Sequence, residues 1–365
     1  MTPHHPDIRA GRLARKYLMS EDLFLTEKEF VQWLQVLAAP ARGHERARSL
    51  RLEEGVNLGI GDDAALLAVK RGHELILTTD MSIEDVHFTR RLHPAEAVGH
   101  RALARSLSDV AAMGGVPRYV LVSLAISKQV RRDWVSGFYR GMQALARRFG
   151  VRLVGGDTAL VPGRTFIDVL VAGEVPRGKA LRRSGARTGD QIFVSGRLGL
   201  SALGLRLLQS GVAQALLPVP LRGPAREAVH AHLYPEPQCA LGRFLCERRM
   251  ASALMDLSDG LSTDLSRLCA ASGVGARLWA AKIPTPNLPE AVDSLQLALH
   301  GGEDYQLLFT VPPRKALRLP LKFQGRPLYH IGEIEASKAI KLAMPEGNVH
   351  TLEPAGWDCF RRRTR

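Results

Sequence analysis

LILTTD, residues 75–80, is an apolar run that stops on a carboxylate, and the arrangement recurs along the chain. RLVGGDT (152–158) ends on Asp157, and ALMDLSDG (253–260) passes through Asp256 and Asp259 into a helical stretch. GIGDDA (59–64) and GGED (301–304) set acids beside glycines just ahead of apolar runs, and Ser108-Asp109 interrupts an otherwise apolar helical stretch. Short apolar runs bounded by glycine read as strands. Acids at their ends lie where α/β folds carry their sites, because loops there are held by a rigid sheet.

Between these strands the spacing predicts helices. Thr26-Glu27-Lys28-Glu29 has capping-box spacing ahead of Phe30, Val31, Leu34 and Leu37. Pro94 opens a helix through Ala112 that Gly114-Gly115 closes, while Trp134, Phe138, Met142 and Leu145 form a core stripe ended by Gly150. Further helices are expected near 199–209, 224–232, 237–248 and 260–271. Strands are expected at 65–69, 75–79, 119–126, 151–154, 166–171, 191–195, 253–255 and 305–311. The class is therefore α/β (α+β). Residues 176–190 are rich in Gly, Arg and Lys and almost without apolar side chains. That break divides the chain into domains at 24–175 and 176–360, with 1–23 an N-terminal extension and 361–365 a basic tail; 40–54 reads as a loop.

The 365 residues are 45% hydrophobic and 24% charged, which excludes collagen-like and wholly disordered classes and suits two globular domains. No apolar run reaches the ~18 residues of a membrane span, and no secretory h-region is visible, so no membrane partner is expected. Four cysteines without C-x-x-C spacing argue against a disulfide scaffold or structural zinc and suit a reducing cytoplasm. Of the formal +14 charge, residues 1–18 carry +3 and the Arg-rich end +4. No groove-reading motif accompanies them, and no nucleic-acid partner is expected.

Each acid alone is an ordinary turn or cap residue. Converging, they would repel one another unless a cation neutralised them, and hard oxygen ligands select Mg²⁺ over zinc. Mg²⁺ with few carboxylates points to phosphoryl transfer. The chain has no G-x-x-x-x-G-K-[ST] loop and no paired H-R-D and D-F-G motifs. Residues 59–64 fit G-x-G-x-x-[GA], but strand-like sequence follows where a dinucleotide site needs a helix.

In this order the segments GIGDDAALL (59–67), TTDMSIEDVHF (78–88), GHRALARSLSDVAAMGG (99–115), VGGDT (154–158), RRSGARTGD (182–190), MDLSDGLSTDL (255–265), GGEDYQLLFT (301–310) and GWDCF (356–360) resemble the thiamine-monophosphate kinase family of the aminoimidazole-ribonucleotide-synthetase-like superfamily. The resemblance implies a two-domain fold whose N-terminal mixed sheet joins a second copy's in a barrel across a homodimer. It implies ATP-dependent phosphorylation of thiamine monophosphate to thiamine diphosphate. Asp63, Thr78, Thr79, Asp80, Asp109, Asp157, Asp256 and Asp259 would hold several Mg²⁺ ions. Tyr139, Gly156, Asp157, Arg183 and Ser258 would contact ATP, and His87, Glu303 and Trp357 the thiamine phosphate. No separate catalytic acid or base is implied, because the nucleophile is an anionic phosphate. Two alternatives stand beside this reading: another ATP-dependent synthetase of the superfamily, or a basic nucleic-acid-binding protein.

Overall fold

The computed structural model describes residues 27–38, 56–58, 60, 64–211, 223–286 and 293–358. They form two compact units, one of residues up to 103 with 118–174, the other of 104–117 with 175 onward. Residues 104–117, expected in the first domain, thus group with the second. The physical reason is close backbone packing: a Cβ on Gly242 would stand 2.0 Å from Ala111 O, and Leu181 N–H donates to Met113 O at 3.1 Å. The predicted loop at 40–54, both chain ends and Asp63 lie outside the described residues.

The first half of the chain runs α1 (Glu27–Ala38), β1 (Val56–Leu58), β2 (Leu66–Leu67), β3 (His73–Ile83), α2 (Ala95–Ala112), β4 (Val116–Ser127), α3 (Arg132–Phe149), β5 (Arg152–Val161) and β6 (Phe166–Pro176). Four of these strands form an open sheet in the order β3-β6-β4-β5, with β4 parallel to β5. Period-two alternation decides its faces. Ile76, Val122, Leu124, Ile126, Ile167, Val169 and Val171 are buried, whereas Leu75, Leu77, Met81 and Phe166 are 43–61% exposed. The α2–α3 crossing is set by glycine: a Cβ on Gly99 would fall 1.8 Å from Phe138 O, and one on Gly141 1.9 Å from Glu96 O. Gly150, at φ 66°, caps α3 in the left-handed conformation.

The second half runs β7 (Gln191–Val194), α4 (Leu200–Gln209), α5 (Gly223–Leu233), α6 (Cys239–Glu247), β8 (Ala253–Asp256), α7 (Leu261–Ser272), β9 (Gly275–Trp279), α8 (Ser294–His300), β10 (Leu307–Val311), a small hairpin of β11 (Lys322–Phe323) and β12 (Arg326–Pro327), β13 (Tyr329–Glu335), β14 (Ile340–Ala343) and β15 (Val349–Thr351). Seven strands form one mixed sheet, β15-β14-β9-β13-β7-β10-β8, in which only β9 and β14 are parallel. Val194, Met255, Leu278, Leu308 and Ile331 from its strands pack with Leu261, Leu265 and Leu268 of α7 in one core. No described helix is long and apolar enough to cross a membrane.

Gly141→Ala should destabilise the first unit by about 2 kcal/mol or more, since the methyl meets a backbone carbonyl that cannot rotate away. Chemical denaturation measures this. An unchanged midpoint would mean that the two helices separate at no cost.

Candidate functional site

The turn after β8 gathers most of the expected residues that belong to the second unit. Asp256, 4% exposed, ends β8, and its Oδ2 accepts the Ser108 hydroxyl at 2.7 Å. That bond ties the stretch of α2 carrying Asp109 to the end of the strand. The next three carbonyls are all taken: Leu257 O by Tyr305 N–H (2.9 Å), Ser258 O by Glu303 N–H (2.7 Å) and Asp259 O by Trp357 N–H (2.9 Å). Ser258, Asp259, Glu303 and Trp357 are therefore fastened around one turn. Gly302 and Gly356 make the approach possible, because a Cβ on either would press on Ser258 O (2.7 Å) or Asp259 O (2.0 Å).

The Asp259 carboxylate forms an ion pair with Arg267, which also reaches Asp264 Oδ1 at 3.0 Å. Asp264, fully buried, accepts the N–H groups of Asp259 (3.0 Å) and Gly260 (3.1 Å), and burial pushes its pKa up to about 6. A metal at Asp259 has to compete with Arg267 for the carboxylate. Arg183 is exposed, and its carbonyl accepts the Ser272 hydroxyl at 3.1 Å. The preceding carbonyl, of Arg182, accepts Leu254 N–H of β8 at 2.8 Å, which places Arg183 beside the strand that ends on Asp256.

In the first unit, Thr78 and Asp80 are half-buried and share one side of β3. Thr79 alternates to the other side, where its hydroxyl donates to Asp168 Oδ1 at 2.7 Å. Asp157 is exposed beside Ser123 of β4, and its Oδ1 accepts Thr158 N–H at 2.8 Å. Gly156, at φ 149°, admits no side chain, since a Cβ would lie 2.0 Å from Val122 O. His87 Nδ1 accepts Ile83 N–H at 3.1 Å, which leaves the proton of the neutral ring on Nε2. Tyr139, expected as an ATP contact, lies in the interior. It is 1% exposed, enclosed by Phe30, Trp33 and Phe138, and burial raises its phenol pKa.

Among the described residues, no three carboxylate, imidazole or thiol groups come together as a ready metal cage. The donors are nevertheless all hard oxygens, which fits Mg²⁺, an ion commonly held by one or two carboxylates plus phosphates and water. Sequence reasoning did not show the pairings that hold these residues: Ser108 with Asp256, Asp168 with Thr79, and Asp264 and Arg267 with Asp259. Asp264 was visible as an acid in the first turn of a helix; Ser108 had no signal, because its partner is 148 residues away.

Asp304 is a further missed member. Gly199, the N-cap of α4, has no side chain, and Asp304 supplies the cap from a distance, accepting Gly199 N–H at 2.5 Å and Ser201 N–H at 3.0 Å. Burial outweighs those bonds and pushes its pKa up to about 7. The folded chain then keeps a proton between about pH 4 and 7 that the unfolded chain has lost. Asp304's contribution is therefore greatest below pH 4 and falls as pH rises through 7. Asp304→Asn should remove this slope, so that the variant gains on wild type between pH 5 and 8, by about 1 kcal/mol per pH unit at the steepest. Denaturation of both proteins at pH 5, 6.5 and 8 checks this, and a pH-independent difference would refute it.

Family models match both halves: AIR synthase related protein, N-terminal domain, over residues 61–175, and the corresponding C-terminal domain over 187–344. Thiamine-monophosphate kinase of Escherichia coli is 38% identical over 329 residues, covering 88% of this chain and 96% of that protein. The Bacillus subtilis kinase is 35% identical over 311 residues, covering 84% and 94%. Among solved structures, thiamine-monophosphate kinase from Stenotrophomonas maltophilia superposes with a TM-score of 0.73 at 37% identity, over 81% of this chain and 93% of that one. AaThiL complexed with AMPPCP and TMP gives a TM-score of 0.69 at 29% identity, over 92% and 97%. Full-length likeness at this level has one meaning: the chain belongs to the thiamine-monophosphate kinase family.

Proposed function

We propose that this chain transfers the γ-phosphoryl group of ATP directly onto the phosphate of thiamine monophosphate, giving thiamine diphosphate and ADP. The observation that carries the reading is the match across 92% of the chain to a relative solved with AMPPCP and TMP. An oxygen-only set of acids and hydroxyls supports it. The attacking phosphate is already anionic near neutral pH, so the protein needs no base. It has to position two polyanions and offset their charge.

Thr78, Thr79, Asp80, Asp109, Asp157, Asp256 and Asp259, with Asp63, would hold Mg²⁺, which neutralises phosphoryl oxygens as charge develops. Gly156 and Ser258 offer close backbone approach to the nucleotide, and Arg183 a bidentate grip on phosphate. His87, with its proton on Nε2, is a donor for a substrate phosphate. Trp357, 37% exposed and fixed through its N–H, presents a ring on which the cationic thiazolium can stack. Glu303 supplies a carboxylate to the same substrate.

The outward apolar row of Leu75, Leu77 and Met81, with Phe166, supports a homodimer through the N-terminal sheet. The described cysteines are buried free thiols, which suits work in the cytoplasm.

Asp80→Asn should cost about 10²-fold or more in turnover while leaving apo melting temperature equal or higher. A destabilised but active variant would sink the ligand role. Turnover with aminoimidazole precursors and none with thiamine monophosphate would instead favour a synthetase. Leu77→Asp should give monomers by light scattering; a wild-type protein already monomeric at micromolar concentration refutes the dimer.

A further inference from the structure

Glu303 and Tyr305 both hold left-handed backbone, at φ 66° and 49°, in the short segment between α8 and β10. Neither is glycine, so each position is strained and persists only where its surroundings over-determine it. The surroundings do so here. Glu303 and Tyr305 donate their N–H groups to the Ser258 and Leu257 carbonyls, and the residue between them, Asp304, caps α4. The carboxylate of Glu303, 25% exposed, is thereby turned toward the α4–α5 pair. There a histidine waits in the interior: His232 of α5 is 1% exposed, with Nδ1 3.0 Å from Ser201 Oγ and 3.9 Å from Glu303 Oε2. The two helices are pressed together at this point. A Cβ on Gly204 would lie 2.1 Å from Ala228 O and 2.8 Å from His232 Cβ, so the imidazole has little room to swing away.

A buried imidazole that serves packing alone needs partners for its ring nitrogens, and at Nδ1 Ser201 suffices. The carboxylate oxygen at 3.9 Å is an additional contact, made by the one acid of this segment that stays partly open to solvent. We propose that His232, held by Ser201, is a positioning residue that sets the Glu303 carboxylate for the thiamine portion of the substrate. This rests on the reading of Glu303 as a substrate contact. Glu303 meets substrate; His232 acts only through it. The loss should therefore appear as uniform substrate binding, in KM and not in kcat.

The test compares Glu303→Gln, His232→Leu, His232→Asn and Ser201→Ala in steady-state kinetics with both substrates varied, alongside thermal melting. Asparagine keeps a polar group near the position of Nδ1; leucine keeps bulk alone. His232→Leu should raise KM for thiamine monophosphate about tenfold, the scale of one contact to a charged group. Its kcat and KM for ATP should stay at wild-type values, while the melting temperature falls somewhat as the buried Ser201 hydroxyl loses this partner. His232→Asn should recover most of the loss, and Ser201→Ala should give a smaller rise of the same kind. If Glu303→Gln raises that KM and His232→Leu does not, the positioning role is overturned and the reading of Glu303 stands. If Glu303→Gln leaves KM unchanged, that reading fails first. Should His232→Leu fold poorly, Ser201→Ala decides: a fall in stability with both KM values moving together means that the pair is merely structural, and overturns the inference.

Discussion

Three consecutive carbonyls, of Leu257, Ser258 and Asp259, accept backbone N–H groups from segments 48, 45 and 98 residues further along the chain. Most of the second unit's site depends on this constraint. A buried carbonyl without a donor is costly, so each of the three selects a specific incoming N–H and fixes where its segment can lie. The segments bring different chemistry: an acidic strained loop with Glu303, and an exposed ring with Trp357. Backbone bonds hold them at their main chains. Glycine at 302 and 356 is what lets the main chains come so near.

The acids around that turn are each matched to a different partner, and this separates their roles. Asp256 is buried and takes a neutral hydroxyl from Ser108; Asp259 takes a guanidinium from Arg267. Asp264 and Asp304 take helix N-terminal amides, and burial raises the pKa of both. Two carboxylates therefore take backbone amides and two take side-chain donors. A sequence shows four aspartates near glycine. Only packing distinguishes a cap from a ligand, because both uses favour the same residue at the same local spacing.

What was legible in the sequence was whatever depends on near neighbours. The helix from Ala95 to Ala112 and its glycine turn, the stripe of α3 with Gly150 as cap, and the acids at strand ends all rest on local periodicity or conformational preference. The strands β9, β13, β14 and β15 were not legible. Arg277, His330, Glu333, Glu335 and Lys341 interrupt their apolar pattern, and β13 is a strand because β7 and β9 flank it. The burial of Tyr139 was not legible for a related reason. Its place on a helix says nothing about α1, whose Phe30 and Trp33 close over it from more than a hundred residues away. Residues 104–112 continue the helix that begins at Ala95 without a break, so no local signal marks the boundary after residue 103.

Strand β3 joins local pattern and chemistry most directly. Leu75, Leu77, Thr79 and Met81 lie on the exposed side, while Ile76, Thr78, Asp80 and Ser82 lie on the other. A one-residue slip of its register would exchange these sets, burying Leu77 and Thr79 and turning Asp80 outward. The apolar face and the carboxylate are thus fixed by a single register, and neither can be moved without the other. The Thr79–Asp168 bond pins that register on the exposed side, where little packing would otherwise hold it. Through that bond Thr79 keeps its neighbouring aspartate correctly faced.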